Sequence, residues 1–224
     1  TVADTQALPG RLLTVEAERA ASDGEVAVDL RERSGVIHSD LSVGAKVVAA
    51  QKLRANVDVC FQGMNLVGKG FRLEPAEVVE LGYALDALPE VIKPHCNARD
   101  LMQGGGHCFV IDFFGFSADE ACAAHPQLYQ RLLDRVKPER DQNNRESYRE
   151  RWWIFGEPRG RLRGALQGVD RFVLTAETAK HGVFGFQTQP FVPDHSLYVI
   201  ALSDALHLGV LSSQTHRSWA LANG

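Results

Sequence analysis

The chain has 224 residues, enough for one large domain or two small ones with a sizeable core. Hydrophobic residues make up 45% and charged residues 23%, the balance of an ordered globular chain, and no apolar run reaches the length of a membrane helix. A net charge of −4 argues against a wholly basic, charge-driven nucleic-acid binder, yet residues 131–163 hold 10 Lys/Arg against 6 Asp/Glu, so one basic segment sits on an acidic chain.

No secretory signal stands at Thr1, which reads as a cut within a longer chain. From there "GRLLTVEAERAASDGEVAVDL" predicts two strands joined by a Ser-Asp-Gly turn. "SGVIHSDLSVGAKVVAAQKL" reads as a short strand and a short helix from Val43. Glycines 63, 68 and 70 break "VDVCFQGMNLVGKGFRL" into strand, turn and strand. Pro75 and the surrounding glutamates start a helix. "VIKPHCNARDLMQGGG" reads as a loop-rich connection. "HCFVIDFFGF" is a strand covered on both faces.

"SADE" is a capping box of Ser117 and Glu120, and Pro126 ends the short helix it starts. A longer helix follows from about Gln127 through Val136, with Leu128, Leu132 and Leu133 on one face. Pro138 opens a further polar helix through "ERDQNNRESYRER" to "WWIF". "RLRGALQGVDRFVL" is a helical turn and a strand. "HGVFGFQTQPFVPDHSLYVIAL" gives two strands about a Pro193-Asp194 turn. One last helix, capped by Ser203 or Asp204, carries Leu208, Leu211, Thr215 and Trp219 on its stripe. Strands and helices without regular alternation predict an α+β fold with a small N-terminal β lobe, to about residue 90.

Few local motifs carry chemistry. Gly104–Gly106 precedes His-Cys and a strand, which is the wrong setting for a phosphate loop. The spacings of Cys60, Cys96, Cys108 and Cys122 match no zinc module and read as reduced thiols of a cytosolic, cytoplasmic protein. "PDHS" is better explained as a turn than as an acid–histidine pair. The remaining candidate is Val136–Arg163. On one helix Arg145, Arg149 and Trp152 share a side, and arginine forks fit phosphate. Glu139, Asp141, Glu146 and Glu150 equally allow a salt-bridged helix, with both tryptophans packed inside.

The order of "FVIDFFGFSADEA", "LYQRLLDRVKPERDQNNRESYRERWWIFGEPR", "FVLTAETAKHGVF" and "GVLSSQTHRSWAL" resembles the MmeI-like DNA methyltransferases of type IIG/IIL restriction–modification, collinearly over nearly the whole chain. That resemblance implies a DNA target recognition domain at 21–224, with residues 1–20 a remnant of the methyltransferase domain and its last strand at Gly10–Ala20. The Asn-Pro-Pro-Tyr motif and cofactor loop of the family are missing here. It therefore implies no cofactor in this segment, with S-adenosylmethionine held by the methyltransferase domain of the same parent chain. Relatives continue past "WALANG" into a further segment expected to read bases.

The implied partners are double-stranded DNA and that methyltransferase domain, with no membrane. Arg145, Arg149 and Arg151 are candidates for phosphate contact or structural pairing. Lys180 and His181 are candidates for a loop facing DNA, and Gln214 and Arg217 for contacts from the last helix. Two other readings stay open: a scaffold that orients the methyltransferase domain, and a hydrolase using the His and Cys residues.

Overall fold

The computed structural model describes residues 10–20, 25–37, 41, 43, 53–104, 108–179 and 181–223. The chain divides into two compact units, Thr1–Lys52 with Leu221–Gly224, and Leu53–Ala220. The division falls at Leu53 and not near residue 90.

In the first unit, β1 (Gly10–Ala20) and β2 (Val26–Gly35) pair antiparallel, from Gly10 opposite Gly35 to Ala20 opposite Val26. Cross-strand ion pairs hold the register: Arg11 with Glu32 at 2.6 Å, Arg31 with Glu16 at 3.4 Å, and Arg19 with Asp29. These are the two strands the alternation predicts. The Ser-Asp-Gly turn and the helix expected after Val43 lie outside the described residues.

The second unit continues with β3 (Cys60–Gln62), β4 (Arg72–Leu73), α1 (Pro75–Glu80), β5 (Ile92–Cys96), α2 (Ala98–Gln103), β6 (Cys108–Ile111), α3 (Ala118–Ala124), α4 (Pro126–Arg135), α5 (Lys137–Asp141), α6 (Glu146–Glu150), α7 (Gly160–Ala165), β7 (Arg171–Ala176), β8 (Phe184–Thr188), β9 (Val192–Pro193), β10 (Leu197–Ile200), α8 (Ala205–Leu211) and α9 (Gln214–Asn223). One sheet has the order β3-β10-β7-β8 and is antiparallel. The other has the order β4-β6-β5-β9, with β5 and β9 parallel. Sheets and helices interleave irregularly, so the fold is α+β, as the element order predicts. None of the helices among the described residues is long and apolar enough to cross a membrane.

Side-chain periodicity builds the core. Phe172 and Leu174 lie two apart on β7, Leu197 and Val199 two apart on β10, and all four join the core. Leu128, Leu132 and Val136 recur at helical spacing on α4 and its cap, and all three are buried. The Lys69–Phe71 turn packs closely on α4, because a Cβ on Gly70 would stand 2.7 Å from Arg135 Cβ and 2.8 Å from a Val136 methyl.

Four expected elements differ. The stretch from His181 to Leu202, expected as two strands, holds three, because Val192–Pro193 pairs with β5 as β9 between β8 and β10. The connection at 91–103 is instead β5 and α2. Asn97 caps α2 by accepting from the Asp100 amide while Asp100 accepts from the Asn97 amide, and β6 and β9 pair with β5 from both sides. The polar helix after Pro138 is two single turns, α5 and α6. Asn143 breaks it by accepting from the Arg145 amide at 2.9 Å. The last helix is also two, since Ser213 Oγ caps the His216 amide at 3.1 Å, while Asp204 caps α8 as expected.

The Asn97 box is a local signal with a local energy. Asn97→Ala is expected to lower unfolding stability by about 1 kcal/mol in urea melts. A change under a few tenths would mean that sheet pairing alone holds the segment.

Candidate nucleic-acid interface

Part of the arginine-rich stretch folds inward, while Arg145, Arg151 and Arg161 stay exposed. Arg140 is 1% exposed. Its Nη2 donates to Leu66 O at 2.9 Å and Ile154 O at 3.1 Å, and its guanidinium lies 4.9 Å from the Tyr148 ring centroid and 5.7 Å from that of Phe71. Burial pulls its pKa below the usual arginine value. Arg149 donates to Asn143 O at 2.6 Å. Arg163 grips Asp112 with two bonds of 2.7 and 2.9 Å, and stacks 4.4 Å from the Phe114 ring centroid. Burial alone would raise the Asp112 carboxyl, but Arg163 and Lys93 outweigh it and hold the carboxyl below its ordinary range.

The intrahelical neutralisation expected of the interleaved acids is therefore largely replaced. Asp141 pairs with Lys137 at 2.6 Å, while the arginines turn to carbonyls, Asp112 and Glu157. The cause is the break at Asn143, which leaves Arg145 as the cap of α6 and Arg151 beyond its end rather than on one long helix. Both tryptophans pack, as expected. Trp152 lies 5.2 Å from the Tyr129 ring centroid and Trp153 Nε1 donates to Phe116 O at 2.9 Å.

A polar chain runs from this stretch to the β7–β8 loop. Arg145 Nη1 donates to Tyr148 Oη at 2.7 Å and to Glu157 at 3.2 Å, and Tyr148 Oη donates to Glu157 at 2.9 Å. Arg159 stands 3.9 Å from Glu157 and donates to Gln62 Oε1 at 2.7 Å. Gln62 Nε2 donates to Glu177 at 3.1 Å. Arg159 holds this position at φ +55°, an uncommon conformation for a residue with a side chain. On the neighbouring strand end, His216 of α9 packs 5.6 Å from the Phe184 ring centroid.

The sequence candidates therefore sort into two kinds. Arg145 and Arg149 are engaged by the fold. Arg151, His181, Gln214 and Arg217 are exposed, and among the described residues no side-chain hydrogen bond or ion pair holds them. Lys180 lies outside the described residues. Contacts bring Arg145 and α9 to the same end of the β3-β10-β7-β8 sheet, where the loop bearing His181 also starts. Gln62, Arg159 and Glu177 were invisible to local reading, because the Gln62–Arg159 bond spans 97 positions.

The other polar cluster is buried. Asp194 Oδ1 accepts from Ser196 N at 3.0 Å and Ser196 Oγ at 2.7 Å, and Leu197 N donates to Asp194 O at 2.9 Å. "PDHS" is thus a turn. Burial alone would raise Asp194, but the Ser196 bonds and neighbouring imidazoles hold its carboxyl below the ordinary range. His95 Nδ1 contacts Val192 O at 2.8 Å, which makes Nδ1 the protonated nitrogen. Its Nε2 is buried without a hydrogen-bond partner, 3.8 Å from Asp194 Oδ2.

Burial drives the ring down to about 4 and pushes the Cys96 thiol up to about 12, so neither suits a nucleophile–base pair at neutral pH. Among the described residues no three His, Cys, Asp or Glu side chains gather as metal ligands.

With this geometry in place, the class is a mixed α+β domain with several arginines held by the fold and a polar network at one sheet end. No protein-family model and no curated protein matches the chain. A solved structure does: the fold is similar to part of the type IIL restriction–modification enzyme MmeI, determined in complex with DNA. The TM-score is 0.64 at 14% identity, over 85% of this chain and 26% of that one. The likeness defines the fold, and the chain spans about a quarter of that enzyme's length.

His95 makes a pH prediction. An unfolded histidine takes its proton near 6.5 and the folded one near 4, so the unfolded state binds more protons in between. Stability should rise with pH across that window, by about 1.4 kcal/mol per pH unit at most, and be lost as pH falls through it. Asp194, held below its ordinary range, adds its own loss of stability toward the acid end. Urea midpoints at the window's two ends should converge in His95→Gln, and an unchanged pH slope would contradict the assignment.

Proposed function

We propose that the chain is a sequence-specific DNA recognition module of a restriction–modification protein, silent in catalysis by itself. It would work beside an S-adenosylmethionine-dependent DNA (adenine-N6) methyltransferase domain of the same longer chain. Residues 1–20 would carry the end of that domain and 21–224 the recognition domain. The observation that carries the reading is the fold shared with a restriction–modification enzyme determined on DNA. The exposed cations of Arg151 and Arg217 support it, because phosphate contacts position a reader while a few side chains at base edges specify.

Arg145 and Arg149 then frame the surface. His181, Lys180 and Gln214 supply polar contacts beside it. The buried carboxylates do not suit S-adenosylmethionine, since Asp112 is engaged by Arg163 and Lys93 and Asp194 by its own turn. The cofactor is accordingly assigned to the methyltransferase domain.

A second reading, a scaffold that orients that domain, is favoured by the apolar surface of α8, where Leu206 is 73% and Val210 55% exposed.

The test is the salt dependence of duplex binding by fluorescence anisotropy. Arg151→Ala and Arg217→Ala should each lower the slope of log K against log salt by about 0.9. Arg149→Ala should change the slope less, because its fork is held by Asn143. An unchanged slope in Arg151→Ala and Arg217→Ala would remove those assignments, and absence of any salt-dependent binding would favour the scaffold.

A further inference from the structure

A second cationic feature involves none of the exposed arginines. Lys93 on β5 and Arg163 on α7 converge on Asp112, whose side chain is 1% exposed. Lys93 Nζ donates to Asp112 Oδ2 at 2.9 Å, and Arg163 donates to both carboxylate oxygens. One carboxylate balances one of the two cations, so the group keeps a net charge of about +1 in a place largely withdrawn from water, where charge is weakly screened.

The two cations differ in what they have left. Arg163 Nε donates to Pro158 O at 2.8 Å and Nη2 also meets Met64 Sδ at 3.1 Å, so its fork is nearly used up. Lys93 has one bond to Asp112 and three donors in all. It lines a cleft of about 170 Å³ with Met64, Arg163, Leu166, Gln189 and Phe191. Gln189 Oε1 accepts from the Phe191 amide at 3.2 Å, which fixes the side-chain amide and leaves its NH₂ as a donor. The cleft therefore joins an excess positive charge, spare N–H groups and an apolar wall.

We propose that this cleft seats one phosphate group, with Lys93 as its principal ligand and Gln189 as a second donor. Its source is a phosphodiester of the DNA backbone, an identification that rests on the recognition role above. Asp112 and Arg163 act as the positioning pair: the bidentate bond fixes the carboxylate, and the carboxylate fixes the lysine. A lone lysine on a flexible stem would give charge without a place. Here the ammonium is held at the cleft before a ligand arrives, which lowers the ordering cost of binding.

The experiment uses the full chain, its Lys93→Gln variant and the charge-restoring Lys93→Arg. Inorganic phosphate is titrated while the side-chain NMR signals of Arg163 and Gln189 are followed, and duplex binding is measured over a salt series. Phosphate should shift both signals in the parent and in Lys93→Arg, and not in Lys93→Gln. The salt slope should fall by about 0.9 in Lys93→Gln alone. Thermal melting close to the parent's in Lys93→Gln would show that Arg163 still holds Asp112.

Phosphate shifts with an unchanged salt slope would overturn the DNA source and assign the seat to a free phosphate. Shifts in a chain that binds no DNA would uphold the seat while the recognition role fails. No shift together with an unchanged slope would overturn the seat itself.

Discussion

The buried Arg140 guanidinium is the constraint on which the arginine-rich stretch depends. It ties three separate segments together: its own α5, the carbonyl of Leu66, and the carbonyl of Ile154. Tyr148 and Phe71 contribute ring faces instead of a carboxylate. A buried cation without a counter-ion is costly unless such groups replace its water. The geometry therefore allows little slack. Tyr148 must sit on α6, which sets the direction of Arg145 toward Glu157. The Asn65 and Glu157 backbones pair, with 3.0 Å from Glu157 N to Asn65 O, and this brings Arg159 to Gln62. The position of the sheet-end network follows from where one side chain is buried.

This arrangement is compatible with an acidic chain and the DNA-reading role proposed for it. Arginines that form one basic stripe in the sequence are divided by the fold. Arg140, Arg149, Arg159 and Arg163 satisfy carbonyls, an amide oxygen and one carboxylate. Arg145 and Arg161 are exposed but paired with Glu157 and Asp58, and Arg151 is left to solvent. A modest number of unpaired cations on one face keeps non-specific binding weak. The rest of the electrostatic hold would fall to the larger protein.

How much of this was legible depended on the range of the interaction. The Ser117–Glu120 box, the Pro126 break and the Leu128, Leu132, Val136 stripe rest on neighbours within one or two turns, and they stand as read. Pro94 lacks a strand donor, so β5 reads as loop until pairing on both sides overrides it. Asn143 and Ser213 are helix breakers whose local hydrogen bonds were readable but were outweighed by the surrounding helix-forming residues. The site was less legible than the fold. Arg163 with Asp112, and Arg159 with Gln62, are joined across 51 and 97 positions, and only the folded chain brings them together. Residue type told that these arginines were available; topology decided which of them face inward.

The division between inward and outward arginines is tested most directly by equilibrium unfolding in urea of Arg140→Ala beside Arg151→Ala. The account predicts a loss of about 3 to 5 kcal/mol for Arg140→Ala, which empties a filled core position and leaves two carbonyls without their donor. It predicts a change within about 0.5 kcal/mol for Arg151→Ala. Equal, small effects at the two positions would contradict it.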